Sequence, residues 1–138
     1  MVEFFSEIEF ELKDADKISL WIEGTAGSYG CEIGDLSYVF CGDERLHEIN
    51  MEFLAHDTYT DIITFNYNLR KQINGEVYIS VDRVRENAQT YEQRFEDELH
   101  RVIIHGLLHL CGLEDKSQEQ EQLMRRAEDT ALEARDFA

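Results

Sequence analysis

Two histidines four residues apart, a glycine three residues later and an aspartate three after that give the pattern His105-x3-His109-x2-Gly112-x2-Asp115. On a helix, residues at this first spacing lie roughly 40° apart on one face, one turn from each other. Two imidazoles so placed can reach a single metal ion. Gly112 can turn the chain sharply, with positive φ where required, and return Asp115 toward the helix end. Two histidines and a carboxylate suit zinc and several other divalent metals, and leave positions open for catalysis. Both histidines sit in an otherwise apolar stretch, where an unpaired imidazole is costly to bury. Glu114 is the competing register for the third ligand, and Asp115 would then be a surface cap before the last helix. The glutamate that serves zinc peptidases as base in H-E-x-x-H is replaced here by Gly106.

The surrounding sequence predicts the elements that carry this pattern. "FEDELHRVIIHGLLHLC" reads as a long helix, apolar all round toward its end and therefore buried, with Gly112 as its stop. "SQEQ" at 117–120 is a capping-box pattern. It opens a final amphipathic helix with Leu123, Met124, Ala127 and Leu132 on its apolar face and a solvated face of glutamates and glutamines. "TDIITFNYN" and "GEVYISV" are rich in β-branched and aromatic residues and predict two strands. The short connection between them favours an antiparallel pair. "FFSEIEFELK" and "LSYVFC" read as two further strands. Asp14 or Asp16 caps a helix with Ile18, Trp21 and Ile22 on its apolar face, which weakens through "GTAGSYG". "DERLHEINMEFL" has broadly helical apolar spacing, and "DRVRENAQTYEQ" is helical with Asp82 as a cap. The expectation is one α/β (α+β) domain over residues 1–138, with about four strands in a mixed sheet. Flanking helices and a buried central helix over 94–111, carrying the metal site, complete it.

Composition bounds the function. A chain of 138 residues with 43% hydrophobic and 31% charged residues reads as a soluble globular domain. No apolar run approaches the ~20 residues of a membrane span. The acidic start "MVEFFSEIEFELK" lacks the basic region of a signal peptide, so the expected compartment is the cytoplasm. Three cysteines without a CxxC pair argue against a disulfide framework. The formal net charge of −17 argues against a broad basic groove for nucleic acid. A local patch remains open, because Arg70, Lys71, Arg83, Arg85, Arg94 and Arg101 all lie in the middle third.

"HGLLHLCG", with "TDIITF" (60–65) and "GEVYIS" (75–80) upstream at fitting distances, resembles the YbeY family of bacterial rRNA-maturation endoribonucleases. The usual family motif is H-G-x-L-H-L-x-G-Y-D-H, which His105, Gly106, Leu108, His109, Leu110 and Gly112 match. The resemblance implies a zincin-like fold related to zinc peptidases, one zinc ion per chain and action on ribosomal RNA with the small ribosomal subunit. It implies neither a membrane partner nor a nucleotide cofactor. Two departures stand out. The family's third histidine falls on Asp115, and the arginine of its "LNxxYR" segment falls on Leu54. His56 is a candidate substitute cation, and Arg83, Arg85 and Arg94 are candidate RNA contacts.

Zinc lowers the pKa of its bound water to about 7, so hydroxide is available near neutral pH; with the substrate class that the resemblance implies, the expected reaction is hydrolysis of an RNA phosphodiester. His105, His109 and Asp115 would act through that water. The general base is not given by the pattern; Asp61 and Glu98 are the candidates. Cys111 is expected to pack in the core, His100 to be a packed or surface residue, and His47 to be exposed. Two other readings remain in view. One is a zinc-stabilised ribosome-assembly factor without catalysis; the other, disfavoured by Gly106, is a zinc peptidase.

Overall fold

The computed structural model describes residues 1–56 and 58–137. Strand β1 (Val2–Ser6) leads to helix α1 (Ala15–Ser28), strand β2 (Glu32–Cys41) and helix α2 (Asp43–Leu54). Strands β3 (Ile62–Asn66) and β4 (Gln72–Ser80) follow, then helices α3 (Val81–Thr90), α4 (Phe95–Leu110) and α5 (Gln118–Glu133). The strands form one mixed sheet in the order β1-β2-β4-β3. β1, β2 and β4 run parallel, while β3 runs antiparallel to β4 at the edge, with Thr64 opposite Val77. The antiparallel pair read from the short 69–74 connection is therefore present. The result is the expected α+β domain with a four-stranded mixed sheet. Among the described residues no helix is long and apolar enough to cross a membrane.

α4 is the central buried helix. From Leu99 to Leu110 every residue is buried except Arg101, His105 and His109. These three recur every fourth residue, so one stripe of an otherwise sealed helix reaches the surface. The helix packs unusually close to the sheet at Gly106. A Cβ there would lie 3.0 Å from both Ile62 Cδ1 and Val77 Cγ1. The capping box forms as read: Ser117 Oγ accepts from Gln120 N at 3.1 Å, and the Gln120 side chain accepts from Ser117 N at 3.2 Å.

Several local expectations are corrected. The first strand is earlier than "FFSEIEFELK", and the apolar residues past its end dock from a loop. Phe10 packs at a tilt on Phe40, ring centroids 5.1 Å apart, so its alternation is satisfied without sheet pairing. α1 continues through Gly24 and Gly27 because Ile18, Trp21, Ile22 and Ala26 form one continuous buried stripe. Tertiary burial outweighs the low helix propensity of glycine, about 1 kcal/mol each. α1 runs to Ser28, and Gly30, just past its C-cap Tyr29, takes a left-handed φ of 73°. Asp14 is its N-cap residue but makes no side-chain cap. α3 is capped by Ser80, not Asp82. Asp82 reaches across to accept from Asp43 N at 3.1 Å, serving the first turn of α2, whose own N-cap residue is Gly42. Leu123, expected on the buried face of α5, is exposed.

Candidate metal centre

The turn after α4 builds the centre. Gly112 adopts φ of 107°, a conformation open to glycine and strained for other residues. Its N–H bonds to His109 O at 3.0 Å, and Leu113 N bonds to Leu108 O at 3.0 Å. These two bonds form a Schellman cap, which reverses the chain at the helix end. The reversal brings the Leu113 carbonyl to His109 Nδ1 at 3.0 Å. Two residues later Asp115 Oδ2 stands 3.2 Å from His109 Nε2 and 3.5 Å from His105 Nε2. One ligand atom from each of His105, His109 and Asp115 lies within 4.8 Å of the others. Glu114 is turned away, with Oε2 accepting from Gln120 Nε2 at 3.4 Å. The geometry thus favours Asp115 over Glu114.

The chemistry of this set fits a cation. A carbonyl only accepts, so His109 Nδ1 carries the proton in the bond to Leu113. In the neutral ring Nε2 is then a bare lone pair facing a carboxylate oxygen. Such an approach needs a proton or a metal ion between the two atoms.

The centre lies in a cleft of about 440 Å³. α4 supplies one wall. The end of α2 and the edge strand β3 supply the other, through Leu54, Thr60, Asp61 and Ile62. Asn50, buried in α2, ties that wall together by donating to Thr58 O at 2.9 Å and bonding Thr58 Oγ1 at 3.1 Å. Among the described residues lining the cleft there is no lysine or arginine. Leu54 and His56 both line it, so the positions of the missing arginine and of its candidate substitute face the centre.

Asp61 borders the cleft and also the smaller cavity behind His105 that Glu98, Arg101 and Arg125 line. Burial raises the Asp61 carboxyl above the usual range, against the opposing pull of His105. Burial also raises Glu98, and the Asp61 charge adds to it. Glu98 is absent from the cleft itself, so of the two candidate bases Asp61 is the better placed.

Sequence reasoning missed Glu128. The glutamates and glutamines after Ser117 read as a solvated face, yet Glu128 among them is 5% exposed. Its Oε2 lies 2.6 Å from His105 Nδ1, and its Oε1 accepts from Arg101 Nη1 at 2.9 Å. Burial would raise this carboxyl, but the bonds from His105 and Arg101 outweigh it and hold the group below its ordinary value. Burial likewise works to lower His105, and the bond to Glu128 overcomes it, so the imidazole is raised. A signal was available: Glu128 is four residues after buried Met124 and three before buried Ala131, on the apolar face of α5.

The other singled-out residues are placed away from the centre. His100 is buried, accepts from Arg135 Nη1 at 2.7 Å, and packs edge-on to Trp21 and Phe137. His47 is half-buried rather than exposed, stacked on Tyr59 at 4.3 Å. Cys111 packs on the core while remaining half-buried; its thiol is pushed up to about 12 by burial and by neighbouring Cys31. All three cysteines are free. Arg83 pairs with Asp43 at 3.0 Å, Arg85 lies over Phe95, and Arg94 is 4.0 Å from Glu96. None of these three arginines lines the cleft.

A family model described as endoribonuclease YbeY matches residues 6–136. A protein of Christiangramia forsetii named endoribonuclease YbeY is 49% identical over 131 residues, covering 95% of this chain and 92% of that one. One of Porphyromonas gingivalis with the same name is 53% identical over 115 residues, covering 83% and 76%. The solution structure of TM1509 from Thermotoga maritima superposes with a TM-score of 0.65 at 26% identity, over 95% of this chain and 89% of that one. With a match across nearly its whole length and relatives at about half identity, the chain belongs to the YbeY family.

Proposed function

We propose that this chain is a metal-dependent, single-strand-specific endoribonuclease in ribosomal-RNA processing. Its place would be the 3′-end maturation of small-subunit rRNA during ribosome biogenesis in the cytoplasm. In this reading residues 1–138 form one catalytic domain with one zinc ion per chain. The observation that carries it is the convergence of His105, His109 and Asp115 on one point of an open cleft. The relatives named as endoribonucleases supply the substrate class.

His105 Nε2, His109 Nε2 and Asp115 Oδ2 would hold the ion. When bound, it supplies Lewis-acid activation of water and charge stabilisation at the phosphoryl group. Asp61 is the proposed base. Its raised carboxyl accepts a proton from water more readily than an ordinary exposed aspartate. His56 is the proposed side-chain donor to the phosphate, since Leu54 cannot serve. Gly106 leaves no glutamate for peptide hydrolysis.

The test is cleavage of a single-stranded RNA spanning the small-subunit rRNA 3′ end, with the matching duplex, a chelator and Asp115→Ala as controls. Cleavage of the single strand that stops in both controls is expected. Cleavage unchanged by chelator and by the substitution would overturn the metal mechanism. A zinc-loaded protein that cuts no RNA would favour the non-catalytic assembly reading, and casein digestion the peptidase.

A further inference from the structure

Glu128 is a buried carboxylate contributed by a different helix from the two histidines, and both its oxygens are committed. One accepts from the Arg101 guanidinium at 2.9 Å, and the other meets His105 Nδ1 at 2.6 Å. Arg101 is itself held by the next residue of α5 as well, donating through Nη2 to Asp129 Oδ1 at 2.6 Å. Arg101 and His105 are successive members of the one stripe of α4 that is not sealed, and α5 lays Glu128 against both.

A carboxylate beside a guanidinium is an acceptor. His105 must then bring a proton on Nδ1, and in the neutral ring its lone pair is on Nε2. That nitrogen is the one turned toward Asp115, 3.5 Å away. The contact also fixes the ring plane, because the imidazole is bounded by Glu128 on one side and by the His109 ring, 4.5 Å away, on another. An ordinary ion pair between two helices would need none of this: neither near-complete burial nor a second donor on the opposite oxygen.

We propose that Glu128, braced by Arg101, is the positioning residue for His105, setting its tautomer and ring orientation so that Nε2 is presented to the metal. This role rests on the metal-centre reading. It assigns a task to α5, an element outside the His-x3-His pattern, and makes the docking of α5 on α4 part of building the centre. Outer partners of this kind tune metal affinity through the ligand they orient.

Glu128→Gln tests it with little change in shape. An amide has one accepting end, so it cannot receive from both Arg101 and His105. Arg101 can only donate, so the amide oxygen stays with it, the NH2 faces His105, and the proton on Nδ1 is lost. Two readouts are taken on the purified protein: zinc affinity by chelator competition, and the imidazole 15N shifts of metal-free protein at pH 8. The wild type is expected to show His105 protonated on Nδ1. Glu128→Gln is expected to bind zinc about 10–100-fold more weakly and to lose that tautomer signature. Arg101→Gln, which removes the charged brace from Glu128 and leaves His105 untouched, is expected to weaken binding in the same direction by a smaller factor. It serves as the second variant where Glu128→Gln folds poorly. Equal zinc affinity in all three proteins overturns the role while leaving the metal centre intact. A wild-type His105 protonated on Nε2 also overturns it. Failure of wild-type protein to bind zinc overturns the metal-centre reading itself, and this role with it.

Discussion

Asp115 Oδ2 stands 3.2 Å from His109 Nε2, on the side of the ring opposite the bond from Nδ1 to the Leu113 carbonyl. The imidazole is thereby oriented by its own chain reversal, and its free nitrogen faces a carboxylate that the same reversal delivers. A two-histidine, one-aspartate group that could hold a metal ion follows from four consecutive features: the helix, Gly112, the Leu113 carbonyl and Asp115. Removing the carboxylate as Asp115→Ala is expected to cut zinc affinity by more than about 100-fold, beyond the loss of an outer partner. Asp115→His is expected to retain tight binding, since imidazole is an equally good zinc ligand. Glu114→Gln should be neutral. Chelator competition reads all three, and unchanged affinity in Asp115→Ala would sink the ligand assignment.

Gly112 carries the reversal at φ of 107°. A Cβ would meet no atom within 4 Å there, so a substitution is penalised by backbone strain alone. Gly112→Ala is expected to cost about 1–3 kcal/mol, measured by urea unfolding. The same change should weaken zinc binding, because the Leu113 carbonyl and Asp115 move with the turn. A variant that loses stability but keeps wild-type zinc affinity would show that the turn and the ligand set are uncoupled.

Local signals were the legible ones. Helix α4, its glycine stop and the Ser117 capping box each depend on residues a few positions apart, and each formed where the sequence placed it. The β3–β4 pair was legible from a short connection. What could not be read were contacts between elements. Asp82 caps a helix other than its own, and Phe10 docks without a strand. His47 finds a stacking partner on the far side of α2's end. Glu128 lies between these cases: its position on the apolar face was readable, but its partners Arg101 and His105 come from another helix. Likewise, the acidic composition argues against a broad basic groove and leaves a local patch open, but it cannot show that Arg83 and Arg85 are tied up elsewhere.

His100 offers a pH test remote from the centre. Burial, then the Arg135 charge, lower its pKa from the ordinary 6.5 to about 4, against the weaker opposite pull of Asp97, Glu96 and Asp14. The Arg135 N–H donated to Nδ1 is consistent with a neutral ring. Since the folded value lies below the unfolded one, the contribution to stability is complete above about pH 6.5 and is lost as pH falls toward 4. The full loss is about 3 kcal/mol. His100→Gln keeps an acceptor for Arg135 and has no such titration. Urea unfolding of both proteins between pH 4 and 7 should show a shallower acid slope in the variant. Parallel slopes would rule out His100 as the source.

Gly106 separates this chain from zinc peptidases for a packing reason as well as a chemical one. The close approach of α4 to β3 and β4 leaves a Cβ at this position 3.0 Å from Ile62 Cδ1 and Val77 Cγ1. Ile62 Cδ1 is the end of a flexible side chain, but Val77 is fully buried on a central strand. For Gly106→Ala the tight contact opposes a gain in helix propensity of about 1 kcal/mol, so the net change should stay within about 1 kcal/mol of wild type. Gly106→Glu recreates H-E-x-x-H in sequence but not in space. Its side chain must pass between the helix and the sheet, burying a carboxylate that has no partner there, at a cost of about 3 kcal/mol or more. The variant is expected to unfold at markedly lower urea and to gain no activity on casein. A stable Gly106→Glu protein that digests casein would mean that α4 can lift from the sheet, and that chemistry rather than packing keeps glycine at this position.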